Sequence, residues 1–323
     1  MNNIWVIFEL TEGKPSRASL EIMGKAAALA SEAGCAAEAV VIGEDTGIAA
    51  EQAAAYGASK VYAVDRASVL ERDSIVVEKL SGKYAPGVIL IGSTAYGRDL
   101  AAAVSARLGA GIASECTDIE CREDGVHFIR PSYDGLLNTD IVIEGEPKIG
   151  TFRRGIFKLG EPDTAASAEI VKEDPDVPDS VMLTSLLGFT PDDDVAKADI
   201  ENADIIIAGG NGMGSQESFD RLYELARLVG GSVGASRIAV NNGWISHDHQ
   251  IGITGKTVTP KLYISFGISG AVPHVNGMKN SEYIVAVNTD PDAPIFKVAN
   301  QCVVKDLNEV LPAMIEKLKE IKG

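Results

Sequence analysis

Short apolar runs at residues 4–8, 39–42, 61–64 and 88–91 alternate with longer, alanine-rich stretches in which apolar and polar positions recur at helical spacing. Short apolar runs between turn residues predict buried strands, and the stretches between them predict helices. The first helix is the best defined: Ser16 suits an N-cap, Leu20, Met23, Ala27 and Leu29 fall near one face, and Gly34 can end it in the left-handed conformation. Strands alternating with helices imply a parallel sheet covered on both faces.

After Leu108 the texture changes. Runs at 126–129, 139–143 and 148–152 are separated by Asp124-Gly125, Asp134-Gly135 and Glu146-Pro147, which predicts antiparallel strands appended to the parallel sheet. Residues 160–194 are rich in Pro, Asp and Glu, with one apolar stretch at 181–189, and such sequence buries too little surface to form a core. The chain is therefore expected to divide into domains 1–190 and 191–323. Beyond the division, apolar runs at 205–208, 262–265 and 283–287 and helical stretches at 216–228 and 307–321 repeat the strand–helix order. The expected fold class is α/β with two doubly wound domains. The first is a parallel sheet with appended antiparallel strands, and the second is smaller, with ligands expected at the carboxyl ends of its strands.

A chain of 323 residues is long enough for two such cores. Its formal charge of −17, from 46 acidic against 29 basic residues, argues against nucleic acid, which needs a basic surface to displace counterions. The N-terminus lacks a basic flank followed by an apolar core, and no run approaches the ~20 apolar residues of a membrane span. A cytoplasmic or organellar-matrix location is expected. Cys35, Cys116, Cys121 and Cys302 include no CxxC pair and read as buried thiols. His127, His247, His249 and His274 show no metal-ligand pattern, since His247 and His249 lack a third ligand.

Candidate chemistry lies in glycine-bounded loops of the second half. Gly209 to Gly214 reads GGNGMG where a phosphate loop would sit, but its third glycine misses the G-x-G-x-x-G spacing, and the region ~20 residues on is glycine-rich instead of offering an acidic ribose partner. A plain strand-to-helix turn and a nucleotide contact both remain open there. Ser236 and Arg237 end the small-residue run GASR, where a ligand can approach the backbone and the guanidinium can act as a fixed charge. In QIGITGK, glycines flank Thr254, so its hydroxyl can point into a cleft. In GISGAVPH, Pro273 suits the first helical position and His274 can hydrogen-bond a developing negative charge.

At LYISFGISGAVPHVNGMKNSEYIVAVNTDPDAPIF, from Leu262, the sequence resembles the alpha subunit of electron-transfer flavoproteins. GASR followed by GW, QIGITGK and VVKDLNEVLPAM fall in that family's order, and the first half is similar through LIGSTAYGRDLAAAVSARLGAG and RPSYDG. The resemblance implies one FAD held mainly by the second domain, and a beta subunit packed against the first. It places Ser236 and Arg237 near the flavin, Thr254 near ring N5 and His274 facing the pyrimidine carbonyl. Gln250, Ile251, Gly252 and Ile253 with Thr254, and Ser269, Gly270, Ala271, Val272 and Pro273 with His274, would supply two contact loops. Asn288 would hold the ribose or phosphate region, and Asp306 with Leu307 the adenosine end.

A one-electron carrier has to accommodate negative charge on the N1 and O2 side of the ring, and Arg237 and His274 are the residues suited to that. A unit charge at ~4 Å contributes up to ~4 kcal/mol at an effective dielectric of ~20. The chain departs from the family pattern at three positions: Asn211 stands where Arg is usual, Ile253 where Gln is usual and Pro273 where Gln is usual. These changes are expected to weaken ring or phosphate contacts and lower the flavin potential. The implied function is electron carriage between a flavin dehydrogenase, such as an acyl-CoA dehydrogenase, and an acceptor, either as a simple carrier or within an NADH-dependent bifurcating complex. The alternative is an NAD(P)-dependent oxidoreductase acting directly on a small substrate, which would need a Rossmann fingerprint and an acid or base beside a cleft. A third reading is a non-redox protein that binds an adenine nucleotide.

Overall fold

The structure is a computed structural model that describes residues 2–133, 137–184, 200–201 and 203–322. Met1–Gly188 and Phe189–Gly323 form two compact units. In the first, strands β1 (Ile4–Phe8), β2 (Ala37–Gly43), β3 (Lys60–Asp65) and β4 (Val88–Gly92) alternate with helices α1 (Arg17–Ala33), α2 (Gly47–Ala55), α3 (Leu70–Tyr84) and α4 (Ala95–Leu108). Ser16 caps α1 by accepting from the Ser19 N–H, and Gly34 ends it at φ 66°, as the sequence predicts.

Every residue of β1 is buried, because its two faces meet different cores. Ile4, Val6 and Phe8 pack with Ile22, Met23 and Ala26 of α1, while Trp5 and Ile7 pack with Val76, Leu80, Leu100 and Val104 of α3 and α4. Period-two alternation is absent from the letters because both faces are apolar. One acid interrupts this core. Glu38, only 4% exposed, accepts from Trp5 Nε1 at 2.7 Å, Asn3 Nδ2 at 2.8 Å and the Tyr62 hydroxyl at 3.1 Å.

Further strands are β5 (Ile112–Cys116), β6 (Asp118–Arg122), β7 (Gly125–Ser132), β8 (Leu137–Val142), β9 (Lys148–Phe152) and β10 (Glu169–Lys172). The parallel sheet runs β10-β3-β2-β1-β4-β9-β5, and β8-β7-β6 form a separate antiparallel sheet. Two of the expected antiparallel strands are found there. The third is corrected: β9 lies between β4 and β5, parallel to both. Its residues Ile149 to Phe152 are buried, the environment of an interior parallel strand, and Gly150 admits the Phe128 ring, whose Cε1 would lie 2.4 Å from an added Cβ.

The charged segment after Gly160 is also more than a connection. Its Glu169–Lys172 stretch is an edge strand on β3, and Lys60–Glu169, Lys83–Glu173 and Arg66–Asp174 ion pairs fasten it. The apolar stretch 181–189 and the expected division lie largely outside the described residues. The cysteines are free thiols; Cys116 is buried, whereas Cys302 is exposed, contrary to the expectation for all four.

The second unit contains β11 (Ile205–Gly209), α5 (Glu217–Val229), β12 (Ser232–Ala235), α6 (Arg237–Asn241), β13 (Leu262–Phe266), α7 (Val272–Val275), β14 (Tyr283–Asn288), β15 (Gln301–Val304) and α8 (Leu307–Lys322). Its sheet is all parallel in the order β12-β11-β13-β14-β15. Ile207, Phe219, Leu222, Leu311 and Ile315 form one core, and Ile206, Ala208, Tyr263, Ile284 and Ile295 form the other. All five strand ends therefore open toward one edge, where a parallel doubly wound sheet takes its ligand.

Replacing Glu38 by Ala would leave the Trp5 N–H and the Tyr62 hydroxyl buried without acceptors. The expected loss is about 3 kcal/mol of stability in the first unit, read as a lower urea midpoint. A midpoint within error of the parent would show that this carboxylate is not a structural acceptor.

Candidate functional site

A cavity of about 630 Å³ lies at the carboxyl ends of the second sheet. Its size falls within the range of small-molecule and cofactor sites. Asn211 and Gly212 follow β11, Ser236 to Ile238 follow β12, and Gly267, Ile268 and Ser269 follow β13. Asn288 and Thr289 end β14, and Lys305 to Asn308 join β15 to α8.

All the sequence-predicted site residues line the cavity except Gly270 and Val272. Gly270 is a packing glycine: at φ +89°, an added Cβ would lie 2.2 Å from the Ile295 nitrogen. Val272 is 59% exposed and is the first residue of α7, so Pro273 is its second residue and not its first.

The two glycine loops form one structure. The Ile253 N–H donates to the Pro273 carbonyl at 3.0 Å, and His274 Nδ1 donates to the Ile251 carbonyl at 3.0 Å. Within the first loop, the Gly252 N–H reaches the Lys256 carbonyl at 3.1 Å and the Lys256 N–H reaches the Gln250 carbonyl at 2.7 Å. Gly252 is at φ +143°, with the Pro273 carbonyl oxygen 2.9 Å from where a Cβ would stand, so this closure requires glycine. Gln250 Nε2 donates to Thr254 Oγ1 at 3.0 Å, which leaves the threonine hydrogen to donate into the cavity.

His274 is 6% exposed, and both its ring nitrogens are engaged. A carbonyl only accepts, so Nδ1 carries the hydrogen, and Nε2 accepts from the buried Tyr263 hydroxyl at 2.9 Å. Burial pushes its pKa down to about 4, against the opposing pull of the Ile251 carbonyl. The neutral ring thus holds the loops together, with both nitrogens engaged within the protein. Positive charge comes from Arg237 and Lys305 instead. Among the described residues, neither side chain has an ion-pair or hydrogen-bond partner.

The GGNGMG turn resolves toward packing. The Gly210 N–H donates to the Phe266 carbonyl at 2.9 Å and the Gly212 N–H to the Gly267 carbonyl at 3.0 Å, while an added Cβ on Gly212 would lie 2.8 Å from Gly267 Cα. Backbone contact between β11 and β13 explains these glycines, and Asn211 is the member that carries a side chain to the cavity. Asn288 is also structural in part, since Nδ2 donates to the Ile268 carbonyl and Oδ1 accepts from the Asp290 N–H, both at 3.0 Å. Asp306 caps α8 by accepting from the Asn308 N–H at 2.8 Å.

Residues that sequence reasoning missed are Gly212, Ile238, Gly267, Ile268, Val287, Thr289, Lys305 and Asn308. Lys305 was findable, because it follows the apolar pair Val303-Val304 and precedes the α8 cap. Reading Gln301–Val304 as a strand would have placed it at a strand end. His249 Nδ1 donates to the Val233 carbonyl, 2.6 Å away, as part of the fold, and among the described residues no cluster of three metal-ligating side chains occurs.

A doubly wound sheet whose strand ends hold backbone loops and unpaired cations defines a protein that binds a nucleotide-type anionic ligand. Residues 199–279 match the electron transfer flavoprotein FAD-binding domain, and residues 4–178 match the electron transfer flavoprotein domain. The chain is 40% identical to electron transfer flavoprotein subunit alpha of Thermoanaerobacterium thermosaccharolyticum, over 99% of this chain and 98% of that one. It is 38% identical to the subunit alpha of Megasphaera elsdenii, over 99% and 97%, and 36% identical to protein FixB of Azorhizobium caulinodans, over 97% and 88%. The chain belongs to the electron-transfer flavoprotein alpha-subunit family, and its second unit carries that family's FAD-binding domain.

Because burial holds the folded pKa of His274 below the ordinary 6.5, the unfolded state takes up the proton first as pH falls. The second unit should lose stability on acidification through the window from 6.5 to about 4, and the ring should keep one Nδ1–H tautomer in nitrogen NMR from pH 6 to 8. A ring titrating near 6.5 would contradict the neutral, doubly held histidine.

Proposed function

We propose that this chain holds FAD in the cavity of its second unit and, paired with a beta subunit, passes electrons between a flavin dehydrogenase such as an acyl-CoA dehydrogenase and an acceptor. One observation carries the reading: the cavity combines loops zipped by backbone with unpaired cations, in a chain that aligns end to end with alpha subunits. The residues present fit an anionic dinucleotide in size and charge. FAD, when bound, supplies one-electron transfer chemistry.

The protein's own groups then have distinct tasks. Arg237 places positive charge against one side of the bound ligand and favours addition of electrons there. The Thr254 hydroxyl offers a hydrogen from a loop that Gln250 holds in place, and Ser236 sits beside Arg237 at the end of β12. Ile238 and Ile253, 53% and 48% exposed, present aliphatic surface at the cavity and exclude water from what lies against them. Asn288, Asp306 and Leu307 shape the part nearest β14 and β15.

Direct hydride chemistry on a substrate by an NAD(P) domain is disfavoured by the same contacts. Gly209, Gly210 and Gly212 of the GGNGMG turn are used in packing, and His274, the most obvious acid or base at the cavity, has both nitrogens committed. A bifurcating assembly is a variant of the carrier reading that turns on the beta subunit. Among the described residues, no helix is long and apolar enough to cross a membrane, which is compatible with a cytoplasmic protein.

Co-expression with the neighbouring beta-like subunit should give a yellow complex with one FAD per heterodimer, and colourless protein would overturn the reading. Asn211→Arg adds a cation at the cavity and should raise the flavin potential by tens of millivolts, on the scale of ~59 mV per tenfold change in a one-electron equilibrium. Potentiometric titration checks this; an unchanged potential and unchanged FAD affinity would remove Asn211 from the tuning of the site.

A further inference from the structure

The cavity's two cations stand at opposite edges of the sheet. Arg237 follows β12 and Lys305 follows β15, with β11, β13 and β14 between them. Four inter-strand steps of about 4.8 Å separate the two backbones by roughly 19 Å. A ring seated against Arg237 and the 250–254 loop is therefore beyond the reach of a lysine at the far edge. Lys305 is nonetheless held in register, because its N–H donates to the Asn288 carbonyl at 3.1 Å.

Lys305 brings an unpaired ammonium to the edge of this cavity in a strongly acidic chain. Acidic residues outnumber basic ones 46 to 29, and Lys25, Lys60, Lys83, Lys172, Lys261 and Lys319 all lie within hydrogen-bonding distance of a carboxylate. The acid next to Lys305 makes no ion pair with it; Asp306 Oδ1 accepts from the Asn308 N–H at 2.8 Å and from its Nδ2 at 3.0 Å. The turn after β11 contributes Asn211, an amide, so it brings no charge to the middle of the cavity. A bound diphosphate would then meet a single mobile cation near the β14 and β15 ends.

We propose that the Lys305 ammonium is a phosphate ligand of the bound FAD, closing on the diphosphate from the edge strand while Arg237 serves the ring. The inference rests on the FAD reading above. A flexible ammonium acts here as a point charge, in contrast to the forked geometry of a guanidinium.

The test uses the heterodimer, stripped of FAD and reloaded, with Lys305→Ala, Lys305→Arg and, as a control away from the cavity, Lys297→Ala. Lys305→Ala should weaken FAD about tenfold at low ionic strength, by less at high salt, as expected for loss of one solvent-accessible charge contact. Lys305→Arg should keep most of the affinity. The phosphorus NMR resonances of bound FAD should move in Lys305→Ala and stay in place in Lys297→Ala. Unchanged FAD affinity in Lys305→Ala, or unmoved phosphorus resonances, would overturn the assignment. Failure of the parent heterodimer to take up FAD is a different result, one that removes the FAD reading and this inference with it.

Discussion

Two hydrogen bonds join loops that lie about twenty residues apart in the chain, and the site depends on them. The Ile253 N–H to Pro273 carbonyl bond and the His274 Nδ1 to Ile251 carbonyl bond tie the 250–254 turn to the start of α7. Glycine at 252 permits the close approach, and an added Cβ on Gly277 would lie 2.6 Å from the Gly252 nitrogen, so both backbones are in contact. A donor set made mainly of backbone is fixed by the fold itself and needs little side-chain ordering on binding. Substitutions at exposed positions of these loops can then alter what the ligand feels without dismantling the bed. Ile253 is such a position.

Burial divides the electrostatic work. His274 is taken out of water and kept neutral between a carbonyl and the Tyr263 hydroxyl, so it contributes geometry. Arg237 and Lys305 stay exposed and unpaired, so they contribute charge that solvent screens in part. In a chain of net charge −17, two free cations at one cavity give a local sign opposite to that of the molecule.

Much of this was legible in the letters. The interior strands of both sheets are apolar on both faces and appear as short runs, and α1 announces its ends through Ser16 and Gly34. The loops around Thr254 and His274 were legible as a site because glycines bracket single polar residues after strand-like runs. Edge strands were not legible: Ser232–Ala235 is short and carries a glycine, and Gln301–Val304 is short and mostly exposed, so neither has the signal of a buried strand. That blindness at β15 is what hid Lys305. The direction of β9 was also hidden, since a short apolar run between turns fits either orientation and only its neighbours β4 and β5 decide. The partners of His274 were hidden for a comparable reason, because the Tyr263 hydroxyl that engages it comes from a strand whose letters say only that it is apolar.

The claim that ties these parts together is that one cavity, at the strand ends of the second unit, is the FAD site. Amide hydrogen exchange on the heterodimer with and without FAD tests it most directly. Protection on loading is expected at residues 211–212, 236–238, 250–254, 268–274 and 305–308, with the sheet of the first unit unchanged. Protection confined to the first unit, or absent from the 250–254 and 268–274 loops, would contradict it.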